Sequence, residues 1–262
     1  MAWTGHDYKG EPGQFGFPDV SSHFGVYGIA EFEKDRGAFY RSWWLPSGGT
    51  FVRALPQDWT APVAVGTPVH VFVFTGAAAA EALVNGVSVA GRKPVTALGF
   101  ANFGPVPFQP GNLTAVACSQ SGAVVATDSV LSAGAPAALQ LSIEDNNGRP
   151  FVADGEDVAL VCCAVVDSAG RMVPGASCSN KVTFTVSGPA AVYGVGNGDP
   201  ANLTPDKVGR KDLPYGGHPH LHVARAYHSA DAGWHARPGR RPRHGAWTAG
   251  RGSIVHDGVV MF

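Results

Sequence analysis

Residues 3–11 carry a high density of aromatic and ionisable side chains. The set is Trp3, His6, Asp7, Tyr8, Lys9 and Glu11. Aromatic rings offer a flat apolar surface and carboxylates accept charge-assisted hydrogen bonds, so these residue types together suit the lining of a binding pocket. Such a density is more typical of the rim of an active site than of a free chain terminus.

The overall composition is that of a globular protein without a dominant charge. The 262 residues are 45% hydrophobic, and the formal net charge is -1. This length allows two domains. The near-neutral balance gives no global electrostatic reason to bind nucleic acid, and no apolar run approaches the roughly 20 residues that span a bilayer. We therefore expect neither nucleic acid nor a membrane among the partners.

Four cysteines bear on metal binding and on disulfide formation. They are Cys118, Cys162, Cys163 and Cys178, and their spacing does not match a zinc motif. Adjacent residues of a strand point to opposite faces, so Cys162 and Cys163 cannot enter one core or bind one metal ion unless the strand bulges. We predict small buried thiols, with one disulfide through Cys178 as the alternative.

Residues 31–44 predict an amphipathic helix. The apolar residues fall mostly three or four positions apart, and they are Phe32, Phe39, Tyr40, Trp43 and Trp44. The charged residues expected to face water are Glu33, Lys34, Asp35, Arg36 and Arg41. Because Gly37 costs a helix interior about 1 kcal/mol relative to alanine, this helix needs a surface to pack on.

From about residue 51 the sequence changes to short β-rich runs separated by turn signals. The Asn85-Gly86 dipeptide predicts a tight hairpin. One series of predicted strands covers 68–74, 81–89, 112–118 and 123–131, and a second covers 138–144, 156–168, 181–188 and 190–196. Several short strands at this spacing are typical of a β-sandwich, so each series predicts one sandwich.

The character of the sequence changes again after about residue 208. The last part of the chain holds seven of the ten histidines, and from residue 209 onward eight Lys and Arg stand against three Asp. Apolar periodicity largely disappears, so we expect a basic, poorly ordered tail over 209–262. GC-rich DNA read out of frame encodes a similar composition, and a frameshift is therefore an alternative origin of the tail.

Two motifs in the tail suggest further sites. His218, His220 and His222 alternate, as zinc or copper ligands on a strand do, but Pro219 interrupts such a strand. We predict no metal site and no cofactor. The Arg-rich run 236–245 lacks interleaved aromatic residues, so a solvated segment is a better interpretation than a phosphate-binding one.

Three separated stretches resemble glycoside hydrolase family 2 β-galactosidases. WTGHDYKGEP followed by FGFPDVSSHFGVYGIAEFEKDRGAFYRSWW resembles the end of the catalytic barrel of these enzymes. VHVFVFTGAAAAEALVNGVSVAGRKP and the strands after it are similar to the immunoglobulin-like domain that follows the barrel. EDVALVCCAVVDSAGRMVPGAS with KVTFTVSGPAAVYGVGNGDP is similar to the next β-sandwich. The stretches occur in the family's order and cover roughly residues 2–208.

The resemblance implies a mainly β chain with two immunoglobulin-like β-sandwiches, preceded by the last strand and helix of a (β/α)8 barrel. The implied domains are a barrel remnant over 1–50, a first sandwich over 51–133 and a second over 134–208, followed by the tail over 209–262. The implied partners are a carbohydrate, a β-galactoside in the intact enzyme, and the missing portion of the barrel.

The resemblance also gives residues 3–11 a role, because loops at the C-terminal ends of barrel strands build the active site. Trp3 matches the tryptophan of the sugar-binding wall, and Asp7, Tyr8 and Glu11 match the polar loop beside it. Core packing for Trp3, and loop ordering for Asp7 or Glu11, are the structural alternatives. We therefore expect Trp3, Asp7, Tyr8 and Glu11 to contact substrate.

The same resemblance implies that this chain is inactive by itself. Retaining glycosidases use two carboxyl groups, one as nucleophile and one as general acid/base, and in this family both are glutamates on earlier barrel strands. Nothing in the motif gives Asp7, Glu11 or Asp19 a catalytic role. We expect the chemistry to belong to a longer parent, and we assign no catalytic residue.

A second class of function is a non-catalytic β-sandwich module that binds a carbohydrate or a protein. Trp59, next to Asp58, is a candidate exposed ring for sugar stacking. Packing at a domain junction is the structural alternative for Trp59.

Overall fold

The structure is a computed structural model that describes residues 3–30, 32–45, 51–60, 64–143, 158–174, 181–185, 191–203, 212–214, 222–227 and 259–261. The chain divides into two compact units, residues 1–134 and 135–262. Strands dominate both units, so the predicted mainly β class is confirmed. The described residues contain one helix, which is not long and apolar enough to cross a membrane.

The helix of the first unit is shorter than the sequence predicts. Helix α1 spans Asp35–Trp44, with Lys34 as its extended N-cap, whereas the prediction begins at residue 31. Asp35 in the first turn and Arg41 in the last turn complement the helix dipole. Leu45 ends the helix in an extended conformation.

Two antiparallel sheets follow the helix in the first unit. The strands are β1 (Val52–Leu55), β2 (Pro68–Thr75), β3 (Ala79–Val84), β4 (Val87–Ser88), β5 (Lys93–Pro94), β6 (Phe100–Pro107), β7 (Asn112–Cys118) and β8 (Val124–Leu131). One sheet has the order β1-β2-β6, and the other has the order β4-β3-β7-β8 with β5 beside β3. Asn85 and Gly86 have φ angles of 50° and 81° in the turn between β3 and β4, as the predicted hairpin requires.

The two sheets enclose a single core, which makes this part of the unit a β-sandwich. Alternate residues such as Val71 and Val73 of β2 and Ala80 and Ala82 of β3 face inward, together with Leu113 of β7. Period-two burial is the pattern expected of strands that cover a core with one face.

Trp59 belongs to this core, which agrees with the packing interpretation and contradicts the alternative of an exposed sugar-stacking ring. It is only 1% exposed, and its indole N–H donates to the carbonyl of Gln109 at 3.0 Å. Its ring packs edge-on against Phe108, with 5.2 Å between centroids. A buried tryptophan with its N–H satisfied stabilises the fold and offers no surface to a ligand.

Helix α1 packs on the first sheet through small residues. Gly37, Ala38 and Ser42 are its buried positions. A Cβ atom at Gly76 or at Gly99 would lie 2.9 Å from Ser42, so both glycines permit the close approach.

The large apolar side chains of α1 divide between the sheet and the solvent. Phe39 contacts Phe74 and Phe100, with ring centroids 5.5 and 6.5 Å away. Trp43 and Trp44 remain 50% and 64% exposed. The predicted apolar face is therefore only partly buried in this unit.

The second unit also contains two sheets. Its strands are β9 (Ala138–Ile143), β10 (Val158–Val166), β11 (Lys181–Thr185), β12 (Ala191–Gly196), β13 (Asp212–Pro214), β14 (His222–Tyr227) and β15 (Val259–Met261). The sheet orders are β12-β14-β10-β9 and β13-β11-β15. Cys163 shares a core with Val182, Phe184 and Val195, so strands of both sheets contribute to it.

The predicted burial of the cysteines is confirmed for the three that the structure describes. Cys118, Cys162 and Cys163 are buried, whereas Cys178 lies outside the described residues. Cys162 and Cys163 are neighbours on β10, so their side chains point to opposite faces, and both faces of the strand are covered at this point.

Three short strands lie in the segment that the sequence predicts to be poorly ordered. Strand β14 pairs with β10 and β12, while β13 and β15 pair with β11. At these positions the structure differs from the expectation of disorder. The sequence HVARAY of β14 contains Val and Tyr, which favour strands, whereas the expectation rested on the composition and charge of the whole segment. The rest of 209–262, with His218, His220 and the Arg-rich run, lies outside the described residues.

Candidate functional site

The aromatic and polar cluster of residues 3–11 lies on an irregular hairpin. Residues 8–10 run beside 20–22, and Lys9 forms an antiparallel bridge with Ser21. Gly10 N–H donates to Val20 O at 2.6 Å, and Ser22 N–H donates to Tyr8 O at 2.8 Å. These bonds fix the backbone of the candidate site without a regular sheet.

Trp3, Tyr8 and Glu11 form one connected group on this hairpin. Trp3 is 66% exposed, and an interaction of its side chain with Tyr8 slightly lowers the pKa of the phenol. The Tyr8 hydroxyl donates to Oε2 of Glu11. The structure therefore brings together three of the four predicted contact residues, with an open indole ring and a carboxylate at the surface. We call this group the Trp3 wall.

The carboxylate of Glu11 determines how Tyr8 titrates. Because the phenol donates to Glu11, the hydrogen bond raises the pKa of Tyr8 above its ordinary value of 10.0, and desolvation and the negative charge of Glu11 act in the same direction. The hydrogen bond from Trp3 lowers the pKa, but its effect is smaller. Tyr8 therefore stays a neutral hydroxyl, which can both donate and accept, at physiological pH.

Asp7, the fourth predicted contact, has both carboxylate oxygens in use within the protein. Oδ1 accepts from the backbone N–H of Gly25 at 2.7 Å, and Oδ2 accepts from Nζ of Lys34 at 2.7 Å. The side chain of Asp7 is only 7% exposed. This geometry matches the loop-ordering alternative, in which Asp7 stabilises the hairpin that carries the Trp3 wall.

Lys34 is the residue of this site that the sequence analysis missed. The helical pattern places Lys34 in water, yet its Nζ binds Asp7 and also donates to the carbonyl of His23 at 2.9 Å. The partner lies 27 residues away in the chain, so no local spacing could reveal the pair. The best available signal was that Lys34 falls in the first turn of the predicted helix 31–44, where a cation has no favourable dipole interaction.

The third acid near the site also has a partner. Oδ2 of Asp19 lies 2.8 Å from Nε2 of His23. Asp7, Glu11 and Asp19 are thus each bound to a different side chain, and the hairpin is arranged for stacking and hydrogen bonding. In the described part of the chain, no group of three or more His, Cys, Asp or Glu side chains is placed to hold a metal ion.

Known proteins match this chain along most of its length. The description "Glycoside hydrolase family 2 C-terminal domain 5" matches residues 139–219, and a domain of unknown function, DUF4982, matches residues 66–126. The β-galactosidase BoGH2A of Bacteroides ovatus is 34% identical over 217 residues, which is 82% of this chain. This chain belongs to glycoside hydrolase family 2.

Further relatives agree in sequence and in fold. A putative β-glucuronidase of Formosa agariphila is 32% identical over 77% of this chain. The crystal structure of a β-glycosidase from Bacteroides vulgatus superimposes with a TM-score of 0.74 and 29% identity, covering 88% of this chain and 28% of that one. A family 2 β-glucuronidase structure gives a TM-score of 0.67 over 82% of this chain and 21% of that one, with 25% identity.

The family 2 chain is much shorter than its relatives. It spans 24% of the length of the Bacteroides ovatus protein and 19% of that of the Formosa agariphila protein. The two family descriptions fall on the sandwich strands, and the Trp3 wall lies before both of them.

Proposed function

We propose that this chain is the C-terminal part of a longer glycoside hydrolase and that its Trp3 wall forms one side of the sugar pocket. Residues 3–45 would supply the last strand, loop and helix of a (β/α)8 barrel. The two sandwiches would support that barrel. This assignment makes the N-terminal segment the functional part of the chain.

The observation that carries the proposal is the exposure of Trp3 beside two polar groups. The indole is 66% exposed on the hairpin that also carries the hydrogen-bonded Tyr8–Glu11 pair, so a flat ring faces solvent beside these polar groups. The apolar face of a pyranose suits such a ring, and the Tyr8–Glu11 pair can exchange hydrogen bonds with sugar hydroxyls. The Asp7–Lys34 pair would stabilise the hairpin that carries the wall and would not contact the substrate.

The catalytic acids would come from other parts of the longer protein. A retaining mechanism needs two carboxyl groups about 5 Å apart, one as nucleophile and one as general acid/base. Asp7, Glu11 and Asp19 are each bound to a different side chain, and we assign none of them either role. We therefore expect the 262-residue chain alone to bind a glycoside weakly and to hydrolyse none.

The charge of the wall favours a neutral galactoside over a glucuronide. Glu11 places a carboxylate beside Trp3, and the nearby ammonium of Lys34 is committed to Asp7. A glucuronide carboxylate at this position would meet the like charge of Glu11. We propose β-galactosides as the substrates, hydrolysed with retention by double displacement.

The test is hydrolysis of 4-nitrophenyl β-galactoside by the intact protein that contains this sequence. We expect Trp3→Ala to lower kcat/KM about 10- to 100-fold, because the stacking surface is lost. The matched control is Val87→Ala, an exposed apolar residue of β4, which should leave kcat/KM unchanged. Unchanged turnover in Trp3→Ala, or turnover by the 262-residue chain alone, would contradict the proposal.

A second comparison tests the choice of sugar. Wild-type protein should hydrolyse 4-nitrophenyl β-galactoside faster than the corresponding β-glucuronide. Glu11→Gln removes the negative charge and keeps the shape, so it should raise the relative rate with the glucuronide. A wild-type preference for the glucuronide would overturn the galactoside assignment while leaving the glycosidase assignment intact.

A further inference from the structure

The loop that follows the Trp3 wall carries a second aromatic surface. Residues 11–19 join the two arms of the hairpin, and two turns fold this loop. Phe15 N–H donates to Pro12 O at 3.2 Å, and Asp19 N–H donates to Gly16 O at 3.0 Å. On this loop Phe15 and Phe17 remain 43% and 82% exposed.

One face of the Phe15 ring is held by a fixed partner. The ring stacks on the imidazole of His23, with 3.9 Å between centroids and 28° between planes. The imidazole is held in turn by Oδ2 of Asp19 at 2.8 Å. The exposed part of Phe15 belongs to the remaining face and edges, so an immobilised ring presents an open apolar surface.

A ring supported in this way is preorganised for stacking. Ligand binding ordinarily has to immobilise side chains that move freely in the unbound protein, which weakens binding. The Asp19–His23–Phe15 stack already restrains the phenyl ring, so a second flat group can pack on it with little further loss of freedom. Phe17 is the natural comparison, since it lies on the same loop with a more exposed ring.

We propose that Phe15 binds the aglycone of the glycoside, the group across the scissile bond from the sugar at Trp3, and that it selects an aryl group or a second sugar ring. The proposal rests on the proposed function of the Trp3 wall. Glu11 belongs to the wall and also begins the loop, and the four steps along the backbone from Glu11 to Phe15 span at most about 14 Å between Cα atoms. The two aromatic surfaces are thus neighbours on one rim.

The test is saturation-transfer difference NMR on the 262-residue chain with phenyl β-galactoside, which reports separately on aryl and sugar protons. We expect wild-type protein to saturate both sets of protons. Phe15→Ala should lower the aryl signal relative to the sugar signal by about twofold or more, because the stacking partner is gone. Phe15→Tyr keeps a flat ring and should retain the wild-type ratio.

Control variants and a control ligand distinguish binding at Phe15 from nonspecific binding to exposed aromatic side chains. Phe17→Ala should leave the ratio of aryl to sugar signal near that of wild type. Trp3→Ala should lower the sugar signal more than the aryl signal. Methyl β-galactoside, which lacks an aryl group, should bind wild type and Phe15→Ala equally.

Each outcome decides between the two proposals. The aglycone site is overturned, and the Trp3 wall is retained, if the sugar protons saturate but the aryl signal is unchanged in Phe15→Ala. The same conclusion follows if the aryl signal falls equally in Phe15→Ala and Phe17→Ala. Absence of sugar saturation in wild type, with or without an aryl signal, overturns the wall and the aglycone site together.

Discussion

Asp7 and Lys34 form an ion pair of 2.7 Å that joins the hairpin of the Trp3 wall to the N-cap residue of helix α1. The carboxylate is nearly buried and the ammonium is 28% exposed. Both oxygens of the carboxylate are satisfied, one by Lys34 and the other by the backbone of Gly25. The pair therefore couples the position of the wall to that of the helix.

Breaking this pair from the lysine side should destabilise the first unit. Lys34→Met leaves the carboxylate of Asp7 buried without its cation, and we expect a loss of about 3 kcal/mol. Arg41→Met is the matched control, since its pair with Glu33 is half exposed and should cost less than about 1 kcal/mol. Hydrogen exchange of the Gly25 amide, measured by NMR, reports the local stability; equal exchange in both variants would contradict the prediction.

Gly25 should tolerate no side chain. A Cβ atom there would lie 2.3 Å from the backbone nitrogen of Asp7 and 2.6 Å from the carbonyl oxygen of Tyr27, so the backbone itself would have to move. We expect Gly25→Ala to cost about 3 kcal/mol, whereas Gly28→Ala, whose Cβ would meet Phe32 O at 3.7 Å, should behave like wild type. Scanning calorimetry measures both, and a wild-type melting temperature for Gly25→Ala would refute the close approach.

Tyr8 should ionise at higher pH than an ordinary tyrosine. The hydrogen bond to Glu11 raises its pKa, so stability from this contact is present below the ordinary value of 10.0 and is lost as the pH rises through the raised pKa. Glu11→Gln should move the pKa back toward the ordinary value. Ultraviolet titration of phenolate absorbance, with Tyr8→Phe to assign the signal, checks the shift.

Cys163 should resist alkylation in the folded protein. Burial raises the pKa of its thiol from 9.0 to about 12, and the thiolate is the reactive form. The contribution of the buried neutral thiol to stability is therefore present below pH 9 and lost as the pH rises toward about 12. In a Cys162→Ala background, iodoacetamide at pH 9 should modify Cys163 only after urea is added, as peptide mass spectrometry will show. Modification without urea would place Cys163 outside the core.

The exposed end of helix α1 should promote self-association of the isolated chain. Trp43, Trp44 and Leu45 are all about half exposed or more, and under the proposed function the rest of a barrel covers them. We expect the 262-residue chain to associate in sedimentation experiments, and Trp44→Gln to reduce the association. A monodisperse wild-type monomer at high concentration would argue against a missing barrel partner.

Strands whose signals are local were predictable from the sequence. The alternating apolar residues of β2 and β7, and the Asn85-Gly86 turn, placed these elements within a residue or two of their observed bounds. Strand β6 was missed because Gly104 and Pro105 argue against a strand. The sheet accommodates them with a bulge opposite Val71 and Phe72, where Gly104 has a φ of 74°.

Properties that depend on distant partners were not predictable in the same way. Trp3, Tyr8 and Glu11 stay predicted contacts that rest on residue type and family resemblance, whereas the burial of Asp7 depends on Lys34, 27 residues away. Packing was the favoured interpretation of Trp59, but its partner could not be named from the sequence. Its carbonyl partner, Gln109, is 50 residues away, and only the closed sandwich brings the two together.

The burial of Trp59 also gives the first unit an internal optical reporter. In a background with Trp234→Phe and Trp247→Phe, a dry indole emits at shorter wavelength than the solvated indoles of Trp3, Trp43 and Trp44. The blue edge of the emission spectrum then follows the sandwich core, and the red edge follows the hairpin and helix. One spectrum can then distinguish loosening of the rim from opening of the sandwich.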